Sequence, residues 1–194
     1  INHAGELGTP AQAERLFRLY LTQYPDDASI RYNFGSALMR QQRYREAIAQ
    51  LTEVVRVAPS SAFAYVNLAT SQSSLGEQKD ALVSYERAFA LEPEWKLGGN
   101  LNHEYGFALV ESGDHEKARE VFGLALARPE EKARALRSLA LLDMHEGRHQ
   151  RAIESFREAA LANEAAQAGM SAARNRLFLA VTLDAVGDRV AALK

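Results

Sequence analysis

Apolar residues recur along the chain at intervals of three and four positions, as they do around Leu38, Ile48, Leu51 and Val54. This spacing places apolar side chains on one face of an α-helix, whereas β-strands would need a sustained alternation of apolar and polar residues, which the sequence lacks. Alanine, the strongest helix former, accounts for roughly one residue in six, and prolines and glycines are few. The pattern therefore predicts an all-α protein.

The helical pattern repeats with a period of roughly 34 residues. A small residue recurs as Ala13, Ala47, Ala81, Ala118, Ala152 and Ala192, and four positions later a larger residue follows as Phe17, Leu51, Tyr85, Phe122 and Phe156. Turn positions precede the alanines at Gly8, Gln42, Gly76, Gly113, Gly147 and Gly187, and prolines expected to end second helices are Pro25, Pro59, Pro93 and Pro129. Each unit is thus predicted to be a helical hairpin that stacks on its neighbours to bury its apolar face.

A helix-turn-helix repeat of this length, with a small residue, an aromatic residue and a proline at these offsets, resembles the tetratricopeptide repeat family. The slot of the family's Leu-Gly pair holds Phe34-Gly35, Leu68-Ala69 and Tyr105-Gly106 in successive units. The resemblance implies a right-handed superhelical solenoid of antiparallel helical hairpins. It also implies that the chain is a piece of a larger protein containing such repeats.

The repeat register divides the chain into six units and two insertions, all expected to form one solenoid domain. Partial repeats are predicted over 1–27, mainly as a second helix, and over 173–194. Full repeats are predicted over 28–61, 62–95, 99–132 and 133–166. The insertions, over 96–98 and 167–172, are expected to offset the regular stacking.

Composition and charge exclude several classes of function for the 194-residue chain. The formal charge is −2, so there is no basic excess to favour nucleic acid. The absence of cysteine removes thiol catalysis, thiolate metal sites and disulfides, and leaves cytoplasmic and periplasmic locations equally compatible. No uncharged stretch is apolar enough to insert into a membrane. We predict a soluble protein with no cofactor.

The resemblance implies that first helices line a concave groove, and a groove that mixes apolar and polar groups suits an extended peptide or a helix of a partner protein. The function predicted is a non-enzymatic protein–protein interaction scaffold, with a partner of unknown identity. Residues expected to bind the peptide are Tyr32, Asn33, Ser36, Phe63, Val66, Asn67, Thr70, His103, Phe107, Arg134, Arg137, Leu141 and Met144.

Two asparagines, Asn33 and Asn67, occupy the same slot in consecutive units. A carboxamide carries donors and an acceptor, so a row of them can bind a peptide backbone without selecting its side chains. Some tetratricopeptide repeat proteins hold peptides with such an asparagine ladder. Here the ladder has two rungs, because the next slots hold Glu104, Ser138 and Phe178. The alternative is that both amides bind neighbouring helices or water.

Basic residues in the predicted groove raise a separate question about charge. One variety of the family, the carboxylate clamp, binds the terminal carboxylates of chaperone tails and needs lysines and an arginine beside the asparagines. These basic residues are missing around Asn33 and Asn67. Further along, Arg134, Arg137 and Arg174 could select an acidic partner. The alternative is that these arginines are solvated and paired with nearby carboxylates, namely Glu130, Glu131 or Glu104.

One motif favours an enzyme instead, because residues 145–149 match the His-Glu-x-x-His signature of zinc hydrolases. That chemistry needs both histidines one turn apart on a single helix. The repeat register places Gly147 in a turn between two helices, so we predict no catalytic or metal site and keep a zinc hydrolase through His145 and His149 as a remote alternative. The other histidines, among them His103 and His115, are expected to face solvent or to cap helices.

A second alternative, compatible with the same fold, is that the function of the chain is self-assembly. Repeat ends that expose apolar helix faces favour association with further copies. The chain would then be a homotypic assembly module that builds an oligomeric platform.

Overall fold

The computed structural model describes residues 9–165 and 167–187, and these residues form ten α-helices, two short 3-10 helices and no β-strand. The α-helices are α1 (Pro10–Gln23), α2 (Ala28–Arg40), α3 (Tyr44–Val57), α4 (Ala62–Ser74), α5 (Gln78–Leu91), α6 (Gly99–Ser112), α7 (His115–Leu124), α8 (Pro129–His145), α9 (His149–Ala165) and α10 (Gly169–Ala185). The 3-10 helices are Pro93–Leu97 and Ala125–Ala127. The all-α prediction is confirmed.

The chain divides into two compact units, residues 1–92 and 93–194. In the first unit α1 is followed by the hairpins α2–α3 and α4–α5, and α3 packs against α4. In the second unit α6 pairs with α7 and α8 with α9, while α7 packs on α8 and α10 on α9. Both units therefore contain stacked helical hairpins, as the repeat pattern predicts. Within the described residues, no helix is both long and apolar enough to cross a bilayer.

The repeated small and large residues of the second helices lie in the core of each unit. Each is at most 1% exposed: Ala47, Leu51, Ala81, Tyr85, Ala118, Phe122, Ala152 and Phe156. The alanines let adjacent helices approach closely, and the larger side chains fill the space between them. The predicted residues Gly8 and Ala192 lie outside the described residues.

Helix α1 differs from the other second helices because it contains no buried residue. Leu16 is 66% exposed and Leu19 is 60% exposed. Beside them lies a hollow of about 480 Å³, lined by Ala13, Leu16, Phe17, Leu19, Tyr20, Gln23 and Ile30. Among the described residues, nothing covers this apolar face.

The turns within the hairpins use the predicted positions. Gly76, Gly113 and Gly147 have positive φ angles of 78°, 87° and 74°, and Gln42 in the same slot has a φ angle of 59°. A left-handed residue at this point satisfies the last carbonyls of the first helix, and glycine adopts it without steric cost.

The prediction that each repeated proline ends a helix is only partly correct. Pro25, Pro59 and Pro93 follow α1, α3 and α5 as predicted, and Pro93 also opens a 3-10 helix. Pro129, by contrast, is the first residue of α8. Proline suits the first turn of a helix because the N–H that it lacks has no intrahelical partner there. Helix α8 thus begins four residues before the predicted repeat 133–166, and α10 begins inside the predicted insertion 167–172.

Candidate functional site

A hollow of about 410 Å³ in the first unit brings together three residues predicted to bind a peptide. Tyr32 and Asn33 come from α2, and Phe63 comes from the first turn of α4. The start of α2 is fixed by its N-cap, Asp27, which accepts a hydrogen bond from the backbone N–H of Ile30 at 3.0 Å. The remaining lining residues are Ala28, Ser29, Val54, Ala58 and Ser61. We refer to this set as the α2/α4 hollow.

Two side chains of the α2/α4 hollow are open to a ligand. The ring of Phe63 is largely exposed, since the residue retains 63% of its accessible surface. Asn33 is also exposed, and its carboxamide forms no hydrogen bond to any described residue. An exposed aromatic ring beside an unused amide offers both apolar contact and backbone hydrogen bonding.

The second rung of the predicted asparagine ladder is engaged within the unit. Asn67 Nδ2 donates a hydrogen bond to Ser36 Oγ at 3.1 Å, so two of the predicted peptide-binding residues bind each other. Val66 and Thr70, also on α4, are partly buried. The geometry at Asn67 agrees with the local role that such amides commonly have.

In the second unit, His103 is packed between aromatic rings. Its ring lies edge-on to Phe107, with centroids 4.8 Å apart, and 6.0 Å from Phe122. Nδ1 shares a hydrogen bond of 2.7 Å with Ser138 Oγ. Burial, followed by the positive charges of Arg137 and Arg134, lowers the pKa of His103 to about 4. The expectation that His103 faces solvent or caps a helix is therefore wrong, and its imidazole is neutral at pH 7.

The two arginines that α8 contributes differ in how they are paired. Arg134 Nη1 donates to Asn100 Oδ1 at 2.5 Å, and its Nε lies 3.6 Å from Glu131 Oε2. Arg137 is partly buried and forms no ion pair or hydrogen bond with any described residue. Burial, followed by the charges of Arg174 and Arg134, lowers the pKa of Arg137 below its ordinary value. The predicted alternative of carboxylate pairing thus fits Arg134 but not Arg137.

Leu141 and Met144, the last two predicted residues, contribute mainly to packing. Both are partly buried against a core cluster formed by Ala140, Ala152 and Phe156. The hydroxyl of Thr182 also donates to Met144 Sδ at 3.2 Å. Much of the surface of these two side chains is therefore already used by the fold.

The histidines of the zinc-hydrolase motif lie on different helices. His145 ends α8 and His149 begins α9, with Gly147 in the turn between them. The ring of His145 instead lies 5.1 Å from that of His115, the first residue of α7. Within the described part of the chain, no group of three or more His, Cys, Asp or Glu side chains is placed to hold a metal ion. The arrangement that the motif needs is not formed.

Some residues of the α2/α4 hollow were not expected from the sequence. Val54 belongs to the repeated core pattern, and Ala58 and Ser61 flank the turn after α3. The only sequence signal for Ala58 and Ser61 is that they lie beside Pro59, which marks the connection between one hairpin and the next.

Comparison with known proteins identifies repeats along most of the chain. Three tetratricopeptide repeat family models match residues 6–70, 64–94 and 106–174. The small glutamine-rich tetratricopeptide repeat-containing protein 2 of Saccharomyces cerevisiae is 33% identical over 88 residues, which is 45% of this chain. The chain spans only 25% of that relative's length.

Solved structures show the same fold. A crystal structure of MamA is 23% identical, with a TM-score of 0.71 over 79% of this chain and 88% of its own. YrrB, whose structure is described as that of a tetratricopeptide repeat protein with an unusual peptide-binding site, is 20% identical. Its TM-score is 0.65 over 91% of this chain and 87% of its own. With three repeat models matched and stacked hairpins in both units, the chain belongs to the tetratricopeptide repeat family.

Proposed function

We propose that the chain is a non-enzymatic protein–protein interaction scaffold that binds an extended peptide or a helix of a partner protein. The observation that carries the proposal is the α2/α4 hollow, which is lined by both the exposed ring of Phe63 and the unpaired amide of Asn33. YrrB, a protein of the same fold, is itself described as having a peptide-binding site, which supports this class of function.

The chemistry of the α2/α4 hollow suits a peptide better than a small polar ligand. Its volume of about 410 Å³ lies within the ordinary range of ligand sites. Aromatic rings that become buried on binding commonly supply a large share of the affinity at protein interfaces, and Phe63 is exposed enough to do so. Asn33 can donate to a peptide carbonyl and accept from a peptide N–H at the same time.

A random peptide library displayed on phage tests this function, because peptides can be selected on the native chain and then titrated against variants. We expect Phe63→Ala and Asn33→Ala each to weaken the selected peptides about 5- to 30-fold, roughly 1–2 kcal/mol, with little change in thermal stability. Fluorescence anisotropy of a labelled peptide measures the affinity.

The matched control for Phe63 is Val83→Ala on α5, since Val83 is 61% exposed and lies outside the hollow. If Val83→Ala weakened peptide binding as much as Phe63→Ala does, the assignment of the α2/α4 hollow as the binding site would be contradicted. Asn67→Ala is less suited to the test, because it also breaks the hydrogen bond to Ser36.

The exposed apolar face of α1 favours a second candidate, a homotypic assembly module. Burial of Leu16 and Leu19 against another copy would remove apolar surface from water. If this is the function, molar mass from light scattering rises with concentration, and Leu16→Gln combined with Leu19→Gln abolishes the rise. A constant monomeric mass over about a tenfold range of concentration would contradict assembly.

A further inference from the structure

Three arginines of the second unit lie close enough for Arg134 and Arg174 to repel Arg137, and the fold neutralises their charge only in part. Arg134 and Arg137 lie on α8 and Arg174 lies on α10. We call these three residues the arginine face. Arg134 has a partner in Glu131, whereas no described residue forms an ion pair with Arg137 or Arg174.

Two other arginines of the second unit, in contrast, are paired with carboxylates. Arg119 Nη2 lies 2.6 Å from Asp143 Oδ1, and Arg148 Nε lies 3.0 Å from the same oxygen. Glu146 accepts from both arginines as well. Where arginines serve the stability of this unit, they are matched with carboxylates. Arg137 and Arg174 of the arginine face depart from that rule.

An unmatched guanidinium that is partly buried is costly in the free protein. Arg137 has lost part of its hydration and is repelled by Arg134 and Arg174. Glu131 offsets part of the charge of Arg134, which Asn100 also bonds, but neither of these side chains bonds Arg137, and the nearby His103 is neutral. A carboxylate at this place would gain charge-assisted hydrogen bonds and would relieve the repulsion at the same time.

We propose that the arginine face binds a carboxylate side chain in an acidic segment of the partner protein, with Arg137 as the principal contact. The inference deepens the proposed function, on which it rests, by giving the chemistry of the partner at the second unit. The planar guanidinium suits a carboxylate because two parallel N–H groups can bind its two oxygens. Charge complementarity thus selects an acidic segment over a neutral one.

A fluorescein-labelled hexaglutamate peptide tests the proposal, with hexaglutamine as the uncharged probe. We expect hexaglutamate to bind, hexaglutamine not to bind, and Arg137→Gln to weaken hexaglutamate about tenfold in fluorescence anisotropy at low salt. The matched control is Arg151→Gln, which removes the same charge from an exposed and unpaired position on α9. Arg174→Gln, at an exposed position, provides a second variant that leaves the packed part of α8 untouched.

A structural effect is separated from binding by the NMR signals of the His103 imidazole. Bound carboxylate should offset the charges of Arg137 and Arg134 beside this ring, so the His103 signals should shift when hexaglutamate is added at pH 7, where the probe is fully charged. An equal loss of affinity with Arg137→Gln and Arg151→Gln, or His103 signals that do not shift on addition of hexaglutamate at pH 7, would overturn the proposal. If an oligothymidylate bound more tightly than hexaglutamate, and if that binding depended on Arg137, the proposed protein partner would be refuted in favour of a nucleic acid.

Failure of this inference is distinguishable from failure of the proposed function. Phe63 lies in the first unit, so the effect of Phe63→Ala on library-selected peptides tests the α2/α4 hollow alone. If that effect is present while hexaglutamate binding does not depend on Arg137, only the acidic preference is refuted.

Discussion

Replacement of Asp143 with alanine is expected to lower the free energy of unfolding by about 3 kcal/mol. The carboxylate is 4% exposed and accepts hydrogen bonds from Arg119 at 2.6 Å and Arg148 at 3.0 Å. It thereby ties α7, α8 and the turn before α9 together. Alanine would leave two guanidinium groups facing Glu146 alone, which removes most of their compensation. Urea unfolding followed by circular dichroism measures the change.

The matched control for Asp143 is Glu154→Ala, which removes one negative charge from an exposed position on α9. This control should change stability by less than about 0.5 kcal/mol. Asp143→Asn, which keeps the shape but not the charge, should fall between the two. A loss below about 1 kcal/mol for Asp143→Ala would show that the arginines reorganise freely and that the network contributes little.

The second large effect is expected at Gly106 in α6, where alanine should lower the free energy of unfolding by about 2–3 kcal/mol. A Cβ atom at Gly106 would overlap the ring of Phe122, which is 1% exposed. The helix and the ring would both have to shift, because a close-packed interior transmits such strain. Thermal and urea unfolding measure the loss.

Gly123 in α7 provides the control for this effect, since a Cβ atom there would meet nothing within 4 Å. Gly123→Ala should raise stability by about 0.5–1 kcal/mol through helix propensity alone. The double variant Gly106→Ala with Phe122→Leu should be less unstable than the sum of its two single changes. Additive losses would show that the ring is not the obstacle.

How far the sequence predicts this fold depends on which interactions define each element. The repeated alanine and large residue, such as Ala81 with Tyr85, were predicted as core and are buried in the structure. The turn slots were also predicted, and Gln42 shows that the slot, rather than the presence of glycine, sets the left-handed conformation. These features follow from the spacing of residues along a helix and from local backbone sterics. Both can be inferred from the sequence of a single repeat.

The candidate site could be predicted only in part. Spacing placed Tyr32, Asn33 and Phe63 on first helices, and the structure brings them to one hollow. It did not reveal that Asn67 bonds Ser36, because that contact joins residues 31 positions apart on neighbouring hairpins. Nor did it reveal that Pro129 begins α8, since proline is compatible with both the start of a helix and the position after its end.

By itself, the sequence determined the helical class, the hairpin repeat and the small-and-large core pattern, because periodicity and propensity are local properties of the chain. Only the tertiary structure decided which charges are matched. Asp143 gains two arginines from beyond its own turn of helix, whereas Arg137 gains none among the described residues. Ion pairing and burial depend on how neighbouring helices pack and on which side-chain rotamers that packing allows. The spacing of residues within one helix gives no information about either the packing or the rotamers.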